Sequence, residues 1–538
     1  MPSRILSGFA TFLISIQAFA AAPAPAPTPA SVTAAAAASL GGADKLRTVR
    51  NITLSGYGQY AYQFGGGRIT GEAEAPEKYL AANELSRVYD LENDRFQLVE
   101  RRNMLFPFLG PFGHAWGLTT QVLDGTIAYD INGANAVRVA AMSDNPLQVD
   151  GVHVRRMLMM TNPIVLVRTM MDPATKMTAR AAGTGAVVDL TLKTGDRISA
   201  AFAQDGLPQW VRWSTRHTNT GQMNFTTHFT GWSDATGGSG LKLPLAYTTR
   251  LSYRNVDFLK LYVDAYKINS QIPDLATPAA VRAQAEPPSY AVPTITSKPI
   301  GKGLWRVDQG GTSVIEFKDH IAIYELNVNV SVAKAIIAHA RTLAPGKPVT
   351  QYIVSHNHFD HTAGLRQAVA EGLTVIQRKG SESQFRDMVA HKAPDYPDDL
   401  AKSPKEMKFL AVDDHLRLSD DTQTVDIYWA QNNAHMADAI VAYVPSEKLM
   451  LEGDLVTAAF DWAHWPDGFR DILAKFKIDV QRISPVHPVG LTEGQATLSL
   501  AQIEDLLKGG TERARQHCAA ELAKGNRHPG CPIQSKYY

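Results

Sequence analysis

Cysteine is scarce in this chain of 538 residues, which has two, Cys518 and Cys531, both close to the C-terminus. They stand far from a dense histidine cluster at 356–361, so the chemistry does not point to thiols. In an oxidising compartment the pair would close a small loop, and two free thiols are the alternative. An excess of one charge is also missing: Lys plus Arg is 53 and Asp plus Glu is 52. With no basic surplus, no nucleic-acid partner is expected. No fixed sequence period is present, which argues against a solenoid or a propeller. Long apolar runs are absent except near the start. The run there, "ILSGFATFLISIQAFA", is too short and interrupted for a membrane span.

That run follows Arg4 and closes on Ala18-Phe19-Ala20, a small-x-small pattern. It reads as a signal peptide over 1–20, cut after Ala20, and predicts a periplasmic or secreted protein. A Pro/Ala-rich tether over 21–37, "AAPAPAPTPASV", offers little that could pack. The remainder has an ordinary globular balance, 45% hydrophobic and 20% charged, at a length that calls for more than one domain. Residues 38–272 carry short alternating segments such as "RVYDLENDRFQLVERR" and "AVVDLTLKTG", separated by polar or glycine turns. They predict a β-rich accessory or substrate-binding domain built as a large curved antiparallel sheet. Its aromatic, glycine-rich loop 101–118 suits a cap over a cleft, a dimer contact or internal packing. Prolines and alanines from Pro273 to Pro299 interrupt the pattern, so 273–300 reads as a linker or a wrapping segment. Strands then alternate with helical stretches over 301–500, the mark of an α/β sandwich, and 501–538 reads as a helical tail. The fold class expected for the chain is α+β.

The chemistry gathers at four places. "SHNHFDHTAG" supplies His356, His358, Asp360 and His361; His435 lies in "QNNAHMADAIVAYV", Asp454 in "KLMLEGDLV" and His487 in "RISPVHPVG". Singly, each has an ordinary reading as a packing histidine or a turn aspartate. The two-residue spacing of His356 and His358 would aim both at one centre if that segment were extended. Asp454 should emerge from a buried strand into a rim loop. His320, His391 and His415 have simpler roles at turns or surfaces. Trp462, His464 and Trp465 in "FDWAHWPDGF" could wall a substrate pocket.

The His-x-His-x-Asp-His cluster, the later His435, Gly453-Asp454 at a strand end and the loop His487 together resemble the metallo-β-lactamase-fold superfamily, over roughly 301–490. The resemblance implies that His356, His358 and His435 hold one metal, that Asp360, His361 and His487 hold a second, and that Asp454 bridges them. It implies an αβ/βα sandwich and two divalent transition-metal ions, zinc first, with iron or manganese as alternatives. Such ions activate water for hydrolysis, with Asp360 orienting that water. The function expected is an exported di-metal hydrolase acting on a small-molecule carboxylic ester, lactone or amide. The large N-terminal region departs from compact lactamases and weighs against the β-lactam subclass. Two alternatives stand: a di-iron redox protein, and an envelope ligand-binding protein with a structural metal site. Envelope lipid and a second copy of the chain are the further partners considered.

Overall fold

In the strand Asn51–Ala61, Ile52 and Leu54 are buried while the residues between them are partly exposed. The same period of two recurs in the strands around it, and it drives them into one sheet with a single covered face. The computed structural model describes residues 26–62, 77–105, 115–133, 135–139, 151–287, 292–431, 433, 435–455, 465–488 and 490–506, with 516, 519–520 and 523. The signal segment, Cys518, Cys531, Trp462 and His464 lie outside the described residues, as does 106–114 of the aromatic loop.

The N-terminal sheet has 13 strands, all paired antiparallel. It is two meanders joined where Asn51–Ala61 pairs with Asp257–Ile268. Two helices, Gly151–Met160 and Pro163–Met170, link the meanders and bury Val154, Met157, Ile164 and Leu166 against the sheet. The purely β reading of 38–272 missed them because "VRRMLMM" and "PIVLVRTM" are short and apolar on more than one face. Their local signals are the cap Asn162, which accepts from Ile164 N, and Pro163 behind it. Arg155 is fully buried there and donates to the carbonyls of Val122 and Tyr129 at 2.7 and 2.8 Å.

The tether reading of 21–37 is corrected from Pro29 onward. Pro29–Ser39 is a helix, capped by Thr28 in a reciprocal capping box. Val32, Ala36, Ala37 and the following Leu40 are buried in the same apolar cluster as the sheet. Small alanines let this helix approach closely, which a composition-based reading of Pro and Ala does not capture. Residues 273–287 likewise wrap the sheet: Leu275 and Val281 pack on Val88, Val122, Ile127 and Tyr129.

From Ser297 a mixed sheet of 7 strands faces a second sheet of 6. Ile315, Ala322, Tyr324, Ile353 and Ile376 of the first meet Val425, Ile427, Ile440, Ala442 and Leu451 of the second in one core. Helix Val330–Leu343 covers the first sheet's outer face, and Trp465–Phe476 covers the second's. This is the expected αβ/βα sandwich. The apolar cluster of the N-terminal sheet continues without a break into the sandwich's outer helices. Asp395 adds a polar clasp, accepting from Arg197 at 2.5 Å, Ser214 at 3.1 Å and Gln222 at 2.9 Å. Among the described residues no helix is long and apolar enough to cross a membrane.

The docked N-terminal helix carries a direct prediction. Leu40→Ala should destabilise the sheet by about 3 kcal/mol, the scale of a buried leucine truncation. Denaturant unfolding followed by tryptophan fluorescence measures it, and an unchanged midpoint would mean that the segment does not dock.

Candidate metal centre

Each candidate ligand stands just past the end of a sandwich strand, on one rim. The 356–361 cluster follows Val349–Ile353, His435 follows Thr424–Trp429, Asp454 follows Leu449–Glu452 and His487 follows Arg482–Pro485. The strands are apolar because they fill the core between the sheets, and the polar residues come where the chain leaves it. Residues 355–364 form a loop, with bends at Ser355 and Asn357 and turns over 359–364. The loop is tied down by Tyr352, whose hydroxyl donates to His361 O at 2.8 Å, and by Ile440 N, which donates to Ser355 O at 2.7 Å.

The structure brings the seven predicted residues together in two groups that share Asp454. His356, His358 and His435 form one, and Asp360, His361 and His487 the other; within each group the ligand atoms lie within 4.8 Å of one another. His435 Nε2 is 2.9 Å from His358 Nδ1 and 3.2 Å from His356 Nε2. His356 and His358 therefore present different ring nitrogens, Nε2 and Nδ1, to one point. Asp454 Oδ2 lies 3.2 Å from His435 Nε2 and 3.3 Å from His361 Nε2, while its Oδ1 is 3.2 Å from His487 Nε2. Asp360 Oδ2 is 3.2 Å from His487 Nε2, and Asp360 Oδ1 is buried without a hydrogen-bond partner among the described residues.

Three residues besides the seven candidate ligands prepare this geometry. Glu325 is fully buried; its Oε1 accepts from Ser355 N at 2.6 Å and its Oε2 lies 3.1 Å from His361 Nδ1. That contact turns His361 Nε2 toward the site. Ser355 Oγ, 2.8 Å from His356 Nδ1, does the same for His356. A side chain on Gly453 would put its Cβ 2.1 Å from Ser355 Oγ, so only glycine lets the two loops meet. Asp454 itself sits at φ 60°, a left-handed conformation rare outside glycine and typical of functional positions. Glu325 did have a signal: a glutamate closing the apolar run "IAIY" at a strand end.

The two groups differ in charge. Burial, reinforced by neighbouring imidazoles, holds His356 and His358 well below the usual histidine range, and burial also lowers His435. These rings are neutral and ready to ligate. Burial opposes protonation of His361, but Asp360, Asp454 and Glu325 outweigh it and push that group well up. Asp454 raises His487 to about 9 against a smaller effect of burial. Burial would raise Asp360 and Asp454; His361, joined at Asp454 by His487, holds both below the usual carboxylate range. Protons thus balance the carboxylates in the second group. A largely buried set of imidazole nitrogens and carboxylate oxygens converging on two points fits two divalent ions. Lys78 of the N-terminal domain, just before the strand Tyr79–Asp90, is also buried here, with Nζ 3.4 Å from Met436 Sδ.

The other histidines stay apart. His320 pairs with Asp319 at a hairpin, His415 with Asp426 on the outer strand pair, and His391 with Ser252 between the domains.

No family model matches the chain, and no curated protein sequence matches it. Solved structures similar to part of it are a metallo-beta-lactamase from Pontibacter korlensis (14% identity, 40% of this chain, 98% of that one, TM-score 0.31). TMB-1 is similar at 16% identity over 41% of this chain and 99% of that one, with a TM-score of 0.31. The DIM-1 metallo-beta-lactamase is similar at 15% identity over 42% of this chain and 100% of that one, also with a TM-score of 0.31. These are distant matches to metallo-β-lactamase folds over part of the chain, with the N-terminal sheet domain separate.

The charge difference predicts a pH signature. An ion entering the second group must displace protons from His361 and His487, whereas the first group's histidines are already neutral. The second ion's affinity should therefore climb between pH 6 and 9, by about tenfold per unit for each proton released, while the first ion's changes little. Zinc titration calorimetry in buffers of different ionisation heat counts the protons. Equal proton release at both sites would contradict the assignment.

Proposed function

We propose that the protein is an exported hydrolase in which two divalent metal ions, zinc first among them, activate water against a carboxylic ester, lactone or amide. The observation that carries this reading is Asp454, one carboxylate facing both ligand groups. Ions bound there would lower the pKa of a water and polarise a carbonyl. His356, His358 and His435 would hold one ion, Asp360, His361 and His487 the other, with Asp454 shared. Asp360 contributes most directly to the reaction. In the metal-free site the protonated His361 and His487 rings keep it ionised; bound ions would take over that role, and its Oδ1 is placed to accept a hydrogen bond from the attacking water. Iron or manganese would suit the same donors, and a di-iron redox centre is the second reading that this ligand set supports. Export rests on the N-terminal apolar run and its small-x-small end.

Asp360→Asn tests the role of Asp360. An amide is a poorer ligand and accepts no proton, so turnover on an ester, lactone or amide should fall at least about tenfold. Metal content and folding must be measured in the same preparation. A folded, fully loaded variant with the parent's turnover and pH profile would rule out the water-orienting role. Export predicts a mature chain beginning at Ala21; an exported protein whose mass includes Met1 would refute it.

A further inference from the structure

The metal-site loop does not rest on the sandwich alone. Strands Pro208–His217 and Gly221–Asp234 of the N-terminal sheet form a hairpin whose end pair is His217 and Gly221. Its tip, residues 218–220, is buried against the sandwich. Thr218 Oγ1 there accepts from Val330 N at 3.0 Å, at the start of helix Val330–Leu343. Asn219 goes further in. Its Nδ2 donates to Phe359 O at 2.7 Å and to Thr362 Oγ1 at 2.9 Å. Thr362 then passes the connection on: its hydroxyl donates to His358 O at 2.8 Å and its amide to the same oxygen at 2.9 Å.

The identity of the amide atoms follows from the partners. Phe359 O only accepts, and the Thr362 hydroxyl already donates to His358 O, so both need the nitrogen face of the carboxamide. One side chain from the other domain therefore brackets His358 to Thr362, the stretch containing Asp360 and His361. Asn219 and Thr362 are fully buried, and Phe359 is 2% exposed, so water cannot replace these bonds. Phe359, the residue between His358 and Asp360, turns its ring into the N-terminal domain. It meets the His217 ring edge-on at 5.3 Å and the Tyr253 ring at 5.9 Å. Of the spacer residues in His-x-His-x-Asp-His, Asn357 is held within the sandwich by Gln384 at 2.7 Å, and Phe359 is held by the other domain.

We propose that the N-terminal domain is an integral part of the metal centre, with Asn219 the positioning residue that keeps the loop 358–362 in its ligand-presenting shape. The inference rests on the two-ion reading above. Asp360 and His361 belong to the second ligand group, so losing Asn219 should be felt there first. Asn219→Asp keeps the shape but sets a carboxylate oxygen against the Phe359 carbonyl. Thr362→Val keeps shape from the other side and removes the hydroxyl that Asn219 bonds. Asp395→Ala is the control, because it breaks the interdomain clasp on Arg197, Ser214 and Gln222 without touching the loop.

The test is zinc affinity and stoichiometry on the full mature chain, by competition with a chromophoric chelator. Cobalt(II) spectra of each variant supply the geometry of the bound ion. Asn219→Asp and Thr362→Val should each weaken the second ion by about tenfold or more, on the scale of lost outer-shell partners. Both should alter the cobalt d–d bands, while Asp395→Ala leaves affinity and spectrum as in the parent. Parental affinity and spectrum in folded Asn219→Asp would overturn the proposal. So would an equal loss in all three variants, which would reduce Asn219 to general docking. If Asn219→Asp does not fold, Thr362→Val decides, with parental affinity overturning the proposal. A parent chain that binds no ions would instead refute the two-ion reading itself.

Discussion

Five imidazoles and two carboxylates converge at one rim of the sandwich, five of these groups buried and Asp360 and His487 partly so, and such a set persists only when its charge is balanced. Burial alone would drive every one of these groups neutral. In the first group it does so, and three neutral rings face one another. In the second, Asp360 and Asp454 stay ionised because His361 and His487 carry protons beside them. Each of those protons marks a place where a metal ion would supply the positive charge instead. Glu325 adds a third carboxylate behind His361, at no contact with the solvent. The site is thus shaped to hold cations, and its shape depends on loops that the rest of the molecule must clamp.

The clamping comes from three directions. From the sandwich core, Tyr352 and Ile440 hold the loop 355–364 by its carbonyls. From the opposite strand end, Gly453 allows contact with Ser355 and Asp454 takes a left-handed turn into the site. From the N-terminal sheet, a hairpin tip reaches Phe359 and Thr362. One apolar cluster is continuous through both domains beneath that tip's parent strands. The 13-stranded sheet is therefore more than a companion to the sandwich, since the Phe359 ring of the candidate ligand loop packs against His217 at its hairpin end and Tyr253 in a connecting turn.

The candidate ligands were legible in the sequence because their chemistry is local: residue types able to bind metals, in a fixed order, each just after an apolar strand. The partition into two groups came from the family resemblance, and the structure places the residues in that same partition. What the sequence did not disclose is non-local. Asn219 lies 140 positions from Phe359 and has no motif around it that differs from an ordinary turn. Glu325 carried a local signal, a glutamate closing the apolar run "IAIY", but its partner His361 lies 36 positions away and only the fold joins them. The helix Pro29–Ser39 was hidden by composition, because alanines next to prolines resemble a tether until a sheet is there to receive them. The wrapping of 273–287 was readable as one of two options, and burial of Leu275 and Val281 selects it.

The central claim is that two ions share Asp454. Anomalous diffraction from crystals of the zinc-loaded protein, collected on both sides of the zinc absorption edge, tests it most directly. The account predicts two peaks, one among His356, His358 and His435 and one among Asp360, His361 and His487, with Asp454 between them. A single peak, or none within reach of Asp454, would contradict it.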